Sequence, residues 1–171
     1  AIALNKAFHM ANNDNNQQYI EQFLKDNQEV GKSLEILLCS PFYDFFYVYQ
    51  SAAILSTAKW QLSNFKTPLH ILLMAPKRLQ RELQQLLKQQ GELIVPDLLE
   101  TIPKIPKYGS KSMPFFNLIT SIIPTLTNPM QIISCLFKTL DEAIEVTQEN
   151  PEFDLHHKLS EFINVNSYCF E

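Results

Sequence analysis

Residues 69–90, LHILLMAPKRLQRELQQLLKQQ, decide how the fold is read. The first six form an apolar run interrupted only by His70, which is the length and character of a strand buried on both faces. From Pro76 onward the pattern changes. Leu79, Leu83, Leu86 and Leu87 recur at helical spacing, while Arg78, Arg81, Glu82, Gln85, Lys88 and Gln89 occupy the opposite face. Pro76 suits the first turn of such a helix and Gly91 its C-terminal cap. The predicted unit is a strand feeding a helix.

Two other segments read the same way. Residues 34–39, apolar except for Glu35, predict a second buried strand closed by Pro41 and followed by a helix through Val48, Ala52, Leu55 and Leu62. Residues 131–137 predict a third strand, after which Thr139 and Glu142 read as a capping box that starts a helix ending at Val146. Residues 1–4 and 93–95 supply short or edge strands. Ile20, Phe23 and Leu24 mark a helix that Gly31 ends, and Leu155, Leu159, Phe162 and Ile163 mark a last one. The expected fold class is therefore α/β: a single domain over residues 1–171, with a four- to five-stranded mostly parallel sheet and helices mainly on one face. Residues 96–130, with Pro96, Pro103, Pro106, Pro114, Pro124 and Pro129, read as a proline-rich insertion before the last strand, because proline breaks helix interiors.

With 171 residues, 46% hydrophobic and 19% charged, the chain has the material for a core without disulfide or metal support. Its three glycines leave little for a phosphate-cradling loop, and a net charge of −4 argues against nucleic acid as a partner. Cys39, Cys135 and Cys169 form no CxxC pair and read as buried, reduced thiols. With no glycosylation sequon and no secretory pattern at the start, a cytoplasmic location is expected. No cofactor motif stands out.

Residues 34–40, Asp44 ahead of a helix, residues 69–74, the helix from Pro76 to Gln90, and residues 131–146 together resemble the STAS fold of sulfate transporter and anti-sigma factor antagonist domains. The segment from Phe8 to Asn12 is similar to the stretch before the first helix of transporter-type members. The resemblance covers the chain except residues 96–130, and it implies a regulatory domain that binds another protein. In that family an aspartate is followed by a phosphorylated serine or threonine; here Phe45 and Phe46 follow Asp44, so what carries over is the scaffold. The strand ending at Cys39, Ser40 and Pro41 also resembles the opening of ClpP and crotonase folds. Phe42 and Tyr43 stand where those enzymes have glycines, and side chains there obstruct an oxyanion hole.

Ser40 ends a predicted strand as nucleophiles often do, but no glycine elbow surrounds it, so a turn-forming serine before proline is the simpler reading. His70 reads as a core histidine. His156 and His157 are adjacent, pointing about 100° apart on a helix, which does not suit a metal. Asp141, Glu142 and Glu145 read as helix-dipole partners. Phe42, Tyr43, Phe45, Phe46, Tyr47 and Tyr49 are six aromatics within eight residues, too many to face inward from one helix.

The expected function is thus a non-catalytic regulatory or protein-interaction domain. Its partner surface is assigned to Phe42, Tyr43, Asp44, Phe46, Tyr47 and Tyr49. The alternative is an apolar small-molecule or lipid site walled by Phe42, Phe46, Trp60 and residues 113–123, including Phe115 and Phe116. There Lys104, Lys107 and Lys111 would face an anionic membrane surface. A homo-oligomer is compatible with either reading.

Overall fold

The computed structural model describes residues 9, 16–40, 44–108 and 112–149, with side chains as far as Thr139. Among the described residues there is no strand. The expected α/β sheet is therefore corrected to an all-helical fold, which divides into two compact units, Ala1–Gln90 and Gly91–Glu171.

The first unit contains α1 (Gln17–Asp26), α2 (Gln28–Cys39), α3 (Phe45–Thr57), α4 (Lys66–Met74) and α5 (Lys77–Gln89). Residues 69–74 are the second half of α4. Leu69, Leu72 and Leu73 are buried while His70 and Met74 are exposed, so the apolar run hides an i, i+3, i+4 stripe too short for its period to declare itself. Asn64 starts the helix: its Oδ1 accepts from Lys66 N at 3.0 Å and its Nδ2 donates to Thr67 Oγ1 at 3.1 Å. Pro68 falls in the first turn, where a missing N–H costs no helical bond. Ala75 ends the helix at φ −69°, ψ 136°, since the residue before Pro76 is pushed out of the helical region. Gln80 Nε2 donates to the Ala75 carbonyl at 3.0 Å and closes the turn into α5.

Residues 34–39 are likewise helical, in α2. A strand would put Leu34, Ile36 and Leu38 on one face. Instead Leu34 and Leu38 are buried one turn apart, and Ile36 is 68% exposed. Gly31 does not end a helix but lies buried inside this one.

The helix α3 is the centre of the unit, packing on α1, α2 and α5. Val48 and all of residues 50–56 are buried, so it has almost no polar face. Ser51, Ala52, Ala53 and Ser56 are small enough for neighbouring helices to approach closely, and Gln89 Nε2 reaches Ser56 Oγ at 3.3 Å. Leu83, Leu86 and Leu87 of α5 are fully buried, each contributing about 2 kcal/mol of apolar transfer. Gly91 follows α5 at φ +60°, as expected of its cap.

A Schellman motif ends α3: Lys59 N donates to Ser56 O at 3.1 Å and Trp60 N to Leu55 O at 3.0 Å. The left-handed position is held by Lys59, at φ 52°, where a Cβ is strained. Lys59→Gly should therefore raise stability by about 0.5–1 kcal/mol, net of the glycine's extra unfolded-state entropy. An unchanged or lower urea midpoint would count against strain at this residue.

The second unit contains α6 (Val95–Thr101), α7 (Met113–Ile122) and α8 (Met130–Glu149), with 3-10 turns at Gly91–Ile94, Ile102–Lys107 and Ile123–Thr125. Residues 131–137, expected as a strand, belong to α8, with Ile132, Ile133 and Leu136 buried and Met130 and Phe137 exposed. Thr139 opens no helix; its hydroxyl donates to Cys135 O at 2.9 Å, one turn back within α8. Residues 93–95 join a 3-10 turn to α6 instead of forming a strand. Pro96 and Pro114 sit at the second position of α6 and α7 and so start helices, whereas Pro103 and Pro124 follow directly on the C-caps of α6 and α7, where each ends an α-helix and opens a 3-10 turn, and Pro106 lies inside the first of those turns. The 3-10 turn at Ile102–Lys107 packs on α8, as does α6, and Cys135 Sγ donates to Leu99 O at 3.8 Å. Glu92 accepts from Thr127 N, a bond that holds its carboxyl below the usual glutamate range. The segments expected at residues 1–4 and 155–163 lie outside the described residues. No helix among the described residues is long and apolar enough to cross a membrane.

Candidate functional site

Asp44 is the N-cap of α3, its carboxylate accepting from Phe46 N at 3.1 Å. That bond fixes the first turn so that Phe45 and Phe46 stand 50% and 45% exposed. Opposite them, the extended backbone at Pro76 aims the first two turns of α5 at the same space. Asp44, Phe45, Phe46 and Tyr49 on one side and Lys77, Arg78, Arg81 and Glu82 on the other line an open cleft of about 850 Å³.

The cleft is electrostatically unusual. Lys77 and Arg78 occupy the first turn of α5, which has no acidic residue to offset the positive end of the helix dipole. Among the described residues, none of Lys77, Arg78 and Arg81 forms an ion pair. Burial pushes the Glu82 carboxyl above the usual glutamate range, against the opposing pull of a backbone hydrogen bond and of Arg81. Burial also raises the Tyr49 hydroxyl, helped by the charge of Glu82 and opposed by Arg78 and Arg81.

A carboxyl whose folded pKa is raised binds protons more tightly in the folded chain, so its contribution to stability falls as pH rises through that pKa. Glu82→Gln is accordingly expected to raise the thermal midpoint slightly at neutral pH. The gain should vanish below the ordinary glutamate range, where the unfolded chain is protonated too. A gain independent of pH would exclude Glu82 desolvation as its cause.

Of the residues assigned to the surface from sequence, Asp44, Phe46 and Tyr49 come together in this cleft. Tyr47 is half-buried and packs edge-to-face on Phe46, with ring centroids 6.2 Å apart at 62°. Phe42 and Tyr43 lie outside the described residues. Trp60 is held on α2, where its Nε1 donates to Glu35 Oε1 at 2.5 Å. Phe115 and Phe116, 0% and 3% exposed, are core of the second unit.

Ser40 closes a helix, not a strand, with its N–H on Leu37 O at 3.5 Å. His70 is exposed on α4 instead of buried in a sheet. The neighbouring Cys39 thiol is pushed up to about 11, by burial first and then by Glu35, and so stays protonated and unreactive at neutral pH. No group of three or more His, Cys, Asp or Glu converges among the described residues, and His156 and His157 lie outside them.

Sequence reading missed the wall supplied by α5. Its signal was present: a helix whose first turn carries two cations and no acid invites an anion. Compared with known protein families, with curated proteins and with solved structures, the chain matches none. The likeness to STAS domains rested on residues 34–40, 69–74 and 131–137 as strands, and it finds no support in these comparisons.

Proposed function

We propose that residues 1–90 form a non-catalytic docking module that holds a segment of a protein partner in the cleft between α3 and α5. One observation carries this reading: Phe45 and Phe46 are half-exposed side by side at the mouth of a cleft whose other wall is cationic. Covering the remaining surface of two phenylalanine rings is worth about 1 kcal/mol each, and such rings are typical anchors of an interface. A capped helix end presents them on rigid backbone, which lowers the entropic cost of binding. A cytoplasmic setting belongs to the same proposal; its support is that Cys39 forms no disulfide among the described residues.

A random peptide display library panned on the whole chain tests the reading. Enriched peptides should bind the wild type and lose at least about tenfold in affinity on the Phe45→Asp/Phe46→Asp variant, whose exposed substitutions leave the helical circular dichroism intact. Peptides that bind both proteins equally, or no enrichment at all, would place the docking surface elsewhere or remove it.

A further inference from the structure

We infer that the partner segment is acidic and carries bulky apolar side chains, with its carboxylates set against Lys77, Arg78 and Arg81 and its apolar groups against Phe45 and Phe46. This rests on the docking reading above and specifies the chemistry of the occupant.

Charge complementarity is the ground for it. Three cations cluster at the start of α5 with no ion pair among the described residues. Lys77 and Arg78 stand in the first turn, at the helix end whose own partial charge is positive, so in the unbound chain each of these two adds an unfavourable term, and Arg81 adds a third positive charge one turn on from Arg78. A carboxylate in the cleft reverses that sign, meeting the cations and the unpaired amides of the first turn together. Arg78 and Arg81 are one turn apart and each presents a planar fork that can take a carboxylate with two hydrogen bonds. The facing wall of phenylalanine rings has no use for a purely ionic ligand, so the segment needs apolar groups as well.

Other anionic partners fit less well. Asp44 and Glu82 line the same cleft, and a continuous phosphate backbone would bring charge against them at every step. A peptide can space its carboxylates to reach the cations and leave those two acids facing apolar side chains. A bilayer presents a plane of headgroups, whereas these cations and rings are on the walls of a concavity. Asp44 and Glu82 therefore act as discriminators, selecting spacing as well as sign.

The test uses fluorescein-labelled peptides composed of Glu, Leu and Phe, matched peptides with Lys for Glu, and a third set with Ser for Leu and Phe. Their anisotropy is followed on the whole wild-type chain, on Arg78→Glu/Arg81→Glu and on Phe45→Asp/Phe46→Asp. The first set should bind the wild type, weaken at least about tenfold on the variant, and be replaced there by the Lys set; the Ser set should bind neither. If peptides need Phe45 and Phe46 but bind equally well with Lys, the docking reading stands and the acidic assignment is wrong. If no peptide depends on Phe45 and Phe46, the docking reading fails and takes this inference with it. Binding of oligo(dT) or of phosphatidylserine vesicles through Arg78 and Arg81, without binding of the Glu set, would overturn the inference in favour of a phosphate ligand.

Discussion

Gly31→Ala is expected to lower the stability of the first unit by about 2–4 kcal/mol, although alanine is the better helix former by about 1 kcal/mol. Gly31 lies within α2, and a Cβ there would fall 2.6 Å from Cζ2 of Trp60 and closer still to Cη2 and Cζ3. The indole cannot simply turn aside. Its Nε1 donates to Glu35 Oε1 at 2.5 Å, and the same carboxylate accepts from Ser63 Oγ at 2.5 Å and from Ser63 N at 3.2 Å. Moving the ring to make room for a methyl therefore breaks a charge-assisted hydrogen bond as well as the packing.

Trp60 is the chain's single tryptophan, so its fluorescence reports both the displacement and the unfolding transition. The smaller ring of Trp60→Phe should recover part of the loss in the Gly31→Ala background, since the clash is then relieved. A Gly31→Ala chain that unfolds at higher urea than the wild type would mean that helix propensity dominates and that the glycine does not seat the indole.

The helix α5 was legible because charged and amide residues interrupt its leucines and expose the 3.6-residue period. The neighbouring runs LHILLM and LEILLC lack such interruptions on the buried side. Five apolar residues in a run of six fit a buried strand and a buried helix equally. What distinguishes them is which residue faces water, and Ile36 and Met74 reveal that only once the chain has packed. Thr139 and Glu142 form a capping pattern in sequence, yet a helix already running through Leu136 takes no notice of it. Pro96 and Pro114 misled for a related reason: the same residue type that ends α6 before Pro103 and α7 before Pro124 also begins a helix, and position alone separates the two effects.

The candidate site divides along the same line. The aromatic surplus after Asp44 was visible locally, because no single helix can bury so many rings. That α5 would supply the facing wall depends on α3 packing against it, a pairing that no local pattern encodes. Phe115 and Phe116 went the other way. Asn117, Thr120 and Ser121 are enough of a polar face for α7 to bury both rings.

Gln90→Leu is expected to cost about 2–4 kcal/mol, a large effect for replacing a polar residue with an apolar one of similar size. Gln90 caps α5, is 7% exposed, and ties three backbone groups together. Its Oε1 accepts from Leu62 N at 3.0 Å, and its Nε2 donates to Trp60 O at 3.1 Å and to Leu86 O at 3.0 Å. Leucine fills the space but strands the N–H of buried Leu62, whose desolvation is then uncompensated. Gln90→Glu probes the donor alone. A carboxylate keeps the acceptor for Leu62 but faces two carbonyl oxygens, so its folded pKa is raised. Stability should then be greatest at low pH, where the protonated acid restores a donor, and fall as pH rises through that pKa. Both Gln90 and Gly31 act on the stretch from Trp60 to Ser63, one through the backbone and one through the indole. Once Gly31→Ala has displaced Trp60, part of what Gln90 holds is already lost, and the double variant should lose less than the sum of the two. Losses that add to within about 0.5 kcal/mol would mean that the two ties are independent, and that the turn after α3 is not held as one unit between α2 and α5.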